Sequence, residues 1–405
     1  MSLNKIEPIL STHVAELEAK GILKGRERII SGISPAADGF SERYLLEGYG
    51  ERAFLRMNSN GYLGLALHPQ LIAAEAGAAE EFGTGPGAVR FISGTYQAHV
   101  ELEARLAAFH QRDAGLVMSS AYASVMGVLP QFITDETIVI SDALNHNCII
   151  NAIRLSHSAH KAVFTHHDMN ELSQLLETNG GKFKRAIVVT DGVFSMRGDY
   201  APLDEITGIC HQREAGYEEG IITMVDDSHG VGAFGETGRG TEEVTGTQAD
   251  ILIATLGKAL GVNGGYIVSD APVIKFIRET APFYIYSNPI TQGEAAAAIK
   301  SIEILDGNEG KYLLKHLRSL TLTIKNSLEQ LGLETIQGEH PIVPILTRDT
   351  EKTLKMVEHL FEHNILVTGL NYPVVPKGEE EIRMQVCARH TEKDIDYLIE
   401  VLQKF

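Results

Sequence analysis

From Asn58 to about Ser287, short and continuously apolar runs alternate with stretches of helical period, and this alternation limits the possible folds more than any other feature of the chain. The runs fall at residues 115–118, 138–140, 162–164, 186–189, 221–225, 251–255 and 265–268. A strand apolar on both faces must be covered on both faces, and the helical stretches between the runs can cross from one strand to the next in the same direction. The pattern predicts an α/β fold, with a mostly parallel buried sheet and crossover helices. Beyond Gln292, EAAAAIKSIEILDGNEGKYLLKHLRSLTLTIKNSLEQLG reads as a long helical region, followed by strand-like 342–346 and 382–386 and a last helix from Glu392. That is the pattern of a smaller α+β domain. Ahead of the alternation, a charged helix-patterned run over 14–30 leads into a Gly-, Ser- and Pro-bearing stretch over 31–41. The expected division is an N-terminal arm over 1–57, a large domain over 58–290 and a small domain over 291–405.

Charge narrows the function. With 53 acidic against 35 basic side chains the formal net charge is −18, which argues against a protein that works by neutralising nucleic-acid phosphates. No apolar stretch is long enough to cross a bilayer, and the opening MSLNKIEPIL lacks the basic-then-apolar layout of a secretory signal, so a cytoplasmic address is expected. Cys148, Cys210 and Cys387 are far apart and odd in number, which suits neither a disulfide framework nor a CxxC metal knuckle; no metal site is expected.

Two glycine-rich segments match the dinucleotide fingerprint letter for letter, GTGPGA at 83–88 and GVGAFG at 230–235. Both are read as decoys, because a working fingerprint runs from a strand directly into a helix N-terminus. Pro86 removes an amide from the first, and Asp226, Asp227, Ser228 and His229 separate the second from its strand. A Walker loop is absent.

Chemistry gathers at two strand ends. The run IITMV leads into Asp226, with His229 three residues on, and ILIATL leads into Gly257-Lys258. Ligands of open α/β sheets collect beyond the carboxyl ends of strands, so an Asp, a His and a Lys should project together there. Lys258 among Gly257, Ala259 and Gly261 is a candidate Schiff-base former, although a solvated loop lysine would carry the same letters. Pyridoxal phosphate asks four things of a protein: an amine, a carboxylate for the ring nitrogen, ring packing and phosphate donors. Lys258, Asp226, His229 and the turn SSAYAS, with Ala121 and Tyr122 at a helix N-terminus, are candidates for all of them.

SDALNHN at 141–147, TDGVFSMRGD at 190–199, VDDSHGVGAFGETGRG at 225–240 and TLGKAL at 255–260 together resemble the α-oxoamine synthases, over nearly the whole chain. The resemblance implies a fold-type-I pyridoxal-phosphate-dependent transferase, aspartate-aminotransferase-like, joining an amino acid to an acyl-CoA by a Claisen condensation. It makes Lys258 the cofactor lysine and proton shuttle, Asp226 the partner of the ring nitrogen, His229 the ligand of the phenolic oxygen and His146 the residue stacked on the ring. Ser195, Thr255, Ala121 and Tyr122 are implied cofactor contacts. Ser287 and Asn288 are implied to reach the phosphate in a neighbouring subunit of a homodimer, and Asn60 and Arg383 to lie on the substrate side. The tail TGLNYPVVPKGEEEIRMQVCARHT and VRFISGT at 89–95 resemble the branch that joins glycine to acetyl-CoA. Asn371 stands where the pimeloyl-using branch usually has an arginine, whereas GVNGGY after the lysine resembles that branch. A pimeloyl-using or other acyl-CoA-dependent synthase is the alternative. A cofactor-binding protein without turnover is a more remote one.

Overall fold

The computed structural model describes residues 3–19, 23, 27–156, 160–372 and 374–405. Its first helix, Leu3–Ala19, buries no side chain. The expected helix over 14–30 is corrected here: helix ends at Ala19, residues 20–22 and 24–26 lie outside the described ones, and Ile30 opens a strand. Ile30 and Ile33 are β-branched, and the strand they begin has a partner in the chain, which outweighs a helical charge pattern.

The strands in chain order are β1 (Ile30–Ser34), β2 (Arg43–Leu46), β3 (Ala53–Arg56), β4 (Ala114–Met118), β5 (Thr137–Asp142), β6 (His160–Phe164), β7 (Arg185–Asp191), β8 (Ile221–Asp226), β9 (Ile251–Thr255), β10 (Gly265–Ser269), β11 (Ile342–Leu346), β12 (Ile365–Leu366), β13 (Thr368–Leu370) and β14 (Glu381–Gln385). The large sheet runs β4-β10-β9-β8-β7-β5-β6. Every apolar run read from the sequence is a strand of it. β10 is antiparallel to both β4 and β9, while the β9-β8-β7-β5-β6 pairs are parallel. All residues of β5, β9 and β10 are buried, as continuous apolar strands between two helical layers must be.

Two small sheets complete the molecule. β11-β14-β13 is antiparallel, and β1-β2-β3 joins the C-terminal part of the chain through the parallel pair β3-β12. Residues of the arm read over 1–57 thus supply three strands of a sheet closed by β12. The helical region beyond Gln292 is two helices, Gln292–Leu305 and Asn308–Gln330. They fold back on each other so closely that a Cβ on Gly310 would lie 2.1 Å from the Leu305 carbonyl oxygen. Thr291 and Glu294 form a capping box that starts the first of them.

Candidate active site

Three neighbouring parallel strands end side by side, β9 two residues beyond the other two, and deliver the charged groups. Asp191 ends β7 and Asp226 ends β8, paired with each other in register, and Lys258 follows β9 by three residues. They line a cavity of about 240 Å³ together with Ser120, Ala121, Tyr122, His146, Cys148, Val193, Ser195, Ser228, His229 and Thr255. Thr255 braces the turn before the lysine: its hydroxyl donates to the Gly264 carbonyl (3.1 Å) and accepts from the Gly257 amide (3.0 Å).

Asp226 is fixed by short-range donors, with the Ser228 amide at 3.1 Å and its hydroxyl at 2.5 Å on one oxygen and the Cys148 thiol at 3.5 Å on the other. Asp191 accepts from the His146 amide at 2.9 Å, which holds the start of helix Asn147–Leu155 over the pocket. Burial, and then the charge of Asp226, push the Asp191 carboxyl well above the usual range. Burial lowers the Lys258 ammonium to about 8 although Asp226 and Asp191 oppose the shift. His229 is driven well below its ordinary value by burial first and by Lys258 and Arg383 next, so it is neutral at pH 7. Its Nδ1 lies 2.7 Å from the Tyr62 hydroxyl, whose other acceptor, Asn60 Oδ1, is farther at 3.4 Å, so the shorter contact favours the hydroxyl proton on the imidazole. With Tyr62 donating, the His229 proton sits on Nε2, which has no protein partner among the described residues.

Arg383 comes from the other end of the chain. In β14 its Nε donates to the Ser195 carbonyl at 2.5 Å and its Nη2 to Asn60 Oδ1 at 3.2 Å, and the Gln385 amide ties the strand to the Met57 carbonyl at 2.8 Å. Three segments distant in sequence thus meet around one guanidinium.

Of the residues singled out in the sequence, Lys258, Asp226, His229, His146, Ser195, Thr255, Ala121 and Tyr122 line one cavity, and Asn60 and Arg383 bond to each other beside it. Ser287 and Asn288 do not line it. Sequence reasoning missed Asp191, Cys148, Ser228 and Tyr62. Asp191 was visible as the carboxylate closing an apolar run within TDGVFSMRGD, the same signal that marked Asp226; Cys148 and Tyr62 gave none, since both pass for core. The first glycine of the GVGAFG decoy, Gly230, has a structural task that it shares with Gly192 and Gly240. A Cβ on Gly192, Gly230 or Gly240 would fall 2.1–2.3 Å from the Asp227 carboxylate, which binds the Thr241 amide (2.6 Å) and hydroxyl (2.9 Å). GTGPGA follows helix Pro69–Phe82 rather than a strand.

The residues present fit pyridoxal phosphate. Ser120 caps helix Ala121–Val128 by accepting from the Ala123 amide, and the amides of Ala121 and Tyr122 remain for an anion. That turn closes against Gly265, where a Cβ would lie 2.2 Å from the Ala121 nitrogen, so only glycine leaves room for the cradle. A half-buried amine, a fixed carboxylate and a neutral imidazole with a free N–H complete the donor set.

Residues 52–402 match the family model for class I and II aminotransferases. The chain is 36% identical over 394 residues to the mitochondrial 2-amino-3-ketobutyrate coenzyme A ligase of Homo sapiens, covering 95% of this chain and 91% of that one. It is 37% identical over 352 residues to the 8-amino-7-oxononanoate synthase of Thermosipho melanesiensis, covering 86% and 88%. Among solved structures, Sphingomonas wittichii serine palmitoyltransferase superposes with a TM-score of 0.88 at 26% identity, over 99% of this chain and 97% of that one. A structure of SPT with PLP as internal aldimine superposes with a TM-score of 0.87 at 26% identity, with the same coverage. The chain belongs to the class I and II aminotransferase family and, within it, to the pyridoxal-phosphate-dependent acyltransferases of the α-oxoamine synthase group.

Proposed function

We propose that this acyltransferase condenses glycine with acetyl-CoA, or a similarly short acyl-CoA, to give 2-amino-3-oxobutyrate and CoA. The observation that carries the reading is Arg383, held by Ser195 and Asn60 beside the Lys258 cavity, where a guanidinium fork can take the α-carboxylate of a small amino acid. The human relative named for this ketoacid supports it. Bound in the cavity, pyridoxal phosphate supplies an electron sink for the charge left when an amino acid gives up its Cα proton. Lys258, with its ammonium near 8, has a neutral fraction at physiological pH and serves as the base that takes this proton. Asp226 would hold the ring nitrogen, His229 Nε2–H the phenolic oxygen, His146 one ring face, and the Ala121-Tyr122 amides the phosphate, with Thr255 and Ser195 at the rim. The bond from glycine Cα to the acyl carbonyl carbon forms as the C–S bond breaks, and the thiolate leaves as CoA after taking a proton. Ser287 and Asn288, outside their own chain's cavity, support a homodimer in which they serve the partner's site.

The test is kinetic. Glycine with acetyl-CoA should give a higher kcat/KM than alanine with pimeloyl-CoA, read as free thiol released. The reverse order would move the chain to the reaction for which its 8-amino-7-oxononanoate synthase relatives are named. Activity restored on mixing a Lys258→Ala subunit with an Asn288→Ala subunit would support the shared site; a fully active monomer in sedimentation would end it.

A further inference from the structure

A second cavity of about 630 Å³ adjoins the first, and His146 and Ser195 line both. Resting on the acyl-CoA reading above, this is the space left for the acyl donor. Its wall contains a feature the condensation itself does not use. Glu381 opens β14 and is only 3% exposed, yet its Oε1 is buried without a hydrogen-bond partner among the described residues. It lies two residues from Arg383, hence on the same face of the strand, but Arg383 does not line this cavity and is held by Ser195 and Asn60 on the amino-acid side. The two arginines of the wall each stand beside a carboxylate of their own. Arg197 binds Asp199 at 2.8 Å, and Arg348 forks onto Glu334 at 2.8 and 2.5 Å. No lysine lines this cavity among the described residues, and Glu379 adds a further carboxylate.

A buried carboxyl with no hydrogen-bonded cation, facing a ligand space, sets specificity by what it refuses. An anionic end of an acyl chain would meet three carboxylates, Glu334, Glu379 and Glu381, against two guanidiniums that each already face a carboxylate, and the repulsion is screened least beside buried Glu381. Apolar Phe194, Met196, Leu346 and Val375 also line the space and suit an uncharged acyl group. We propose that Glu381 is a specificity-determining residue that excludes acyl-CoA donors ending in a carboxylate, so that the enzyme's donors are thioesters with an uncharged acyl group.

The test compares succinyl-CoA with acetyl-CoA as donors to glycine, at pH 8, in the wild-type holoenzyme and in Glu381→Gln, which keeps the shape and removes the charge. The ratio of kcat/KM for succinyl-CoA to that for acetyl-CoA should rise about tenfold in Glu381→Gln, the scale of one close like-charge contact removed. Glu381→Asp, which restores the charge, should return the ratio toward wild type. An unchanged ratio in Glu381→Gln, or a wild type that uses succinyl-CoA as well as acetyl-CoA, overturns the proposal. Absence of turnover with any acyl-CoA would instead sink the proposed reaction; calorimetric binding of the two thioesters then reads the same ratio, and equal relative affinities in wild type and Glu381→Gln would overturn the role of Glu381 independently.

Discussion

The two adjoining cavities of this molecule treat buried charge in opposite ways. Around Lys258 the carboxylates and the imidazole are held by neighbours: Asp226 has Ser228 and Cys148, Asp191 has the His146 amide, His229 has Tyr62. In the larger space beside it Glu381 has no hydrogen-bond partner among the described residues, and the arginines are already paired. A polar network that pins its carboxylates and imidazole by hydrogen bonds fixes groups in place, which proton transfer and cofactor binding need. An unsatisfied carboxyl fixes nothing and acts by repulsion. The difference teaches that the smaller cavity is organised for chemistry and the larger for selection.

The largest effect that would break this contrast is at the amine. Lys258→Ala should lose on the order of 10³-fold or more in turnover and release no borohydride-trapped cofactor peptide. A wild-type protein trapped at another lysine would remove the smaller cavity from the chemistry. Next is Asp226→Asn, for which proton exchange at glycine Cα should fall by roughly 10²-fold or more while the fold persists, because an amide no longer favours a protonated ring nitrogen. Unchanged exchange would refute that role.

Asp227 sharpens the comparison, being adjacent in sequence but turned away into three glycines and Thr241. Asp227→Ala should act on stability rather than on the chemical step, costing roughly 3 kcal/mol by leaving the Thr241 amide and hydroxyl unpartnered. Chemical denaturation checks it, and a catalytic loss without a stability loss would contradict the assignment.

Glu381 should show itself in pH dependence. Burial lifts its carboxyl from 4.5 to about 7, against the attraction of Arg383 and Arg197 and helped by Asp199 and Glu379. Folding therefore opposes its ionisation, and the wild type loses stability as pH rises from about 4.5 through 7 and no further above that. Glu381→Gln removes this loss, so at pH 8 it should be the more stable protein, by up to the order of 3 kcal/mol, with the difference vanishing near pH 4. Melting curves across that range decide it. The smallest effect belongs to Tyr62→Phe, which deletes one hydrogen bond to His229; about 1 kcal/mol, or some fivefold in cofactor affinity, is expected by spectroscopic titration. No change would mean that Tyr62 does not set the His229 tautomer.

Much of this was legible in the letters because it is local. Strand period, a carboxylate closing an apolar run and a lysine among small residues are carried by consecutive positions, and so the large sheet, Asp226 and Lys258 could be placed before any coordinates. Asp191 obeys the same rule and was readable by it. The β1-β2-β3 strands carry no such local mark of their sheet, because their partner, β12, lies some three hundred residues later. Tyr62 and Cys148 were silent because an aromatic and a thiol in apolar surroundings look like packing until a histidine or a carboxylate arrives beside them.

The sequence by itself determined which chemical groups stand at strand ends, and through its motifs the family. Only tertiary structure decided which of them share a space: Arg383 meets Asn60 across 323 positions and Ser195 across 188. It also decided which of two consecutive aspartates faces the pocket and that Glu381 is buried with no hydrogen-bond partner among the described residues. The physical reason is range. Periodicity and capping act over a few residues, whereas burial, and the electrostatics that follow from it, depend on every segment packed around a group.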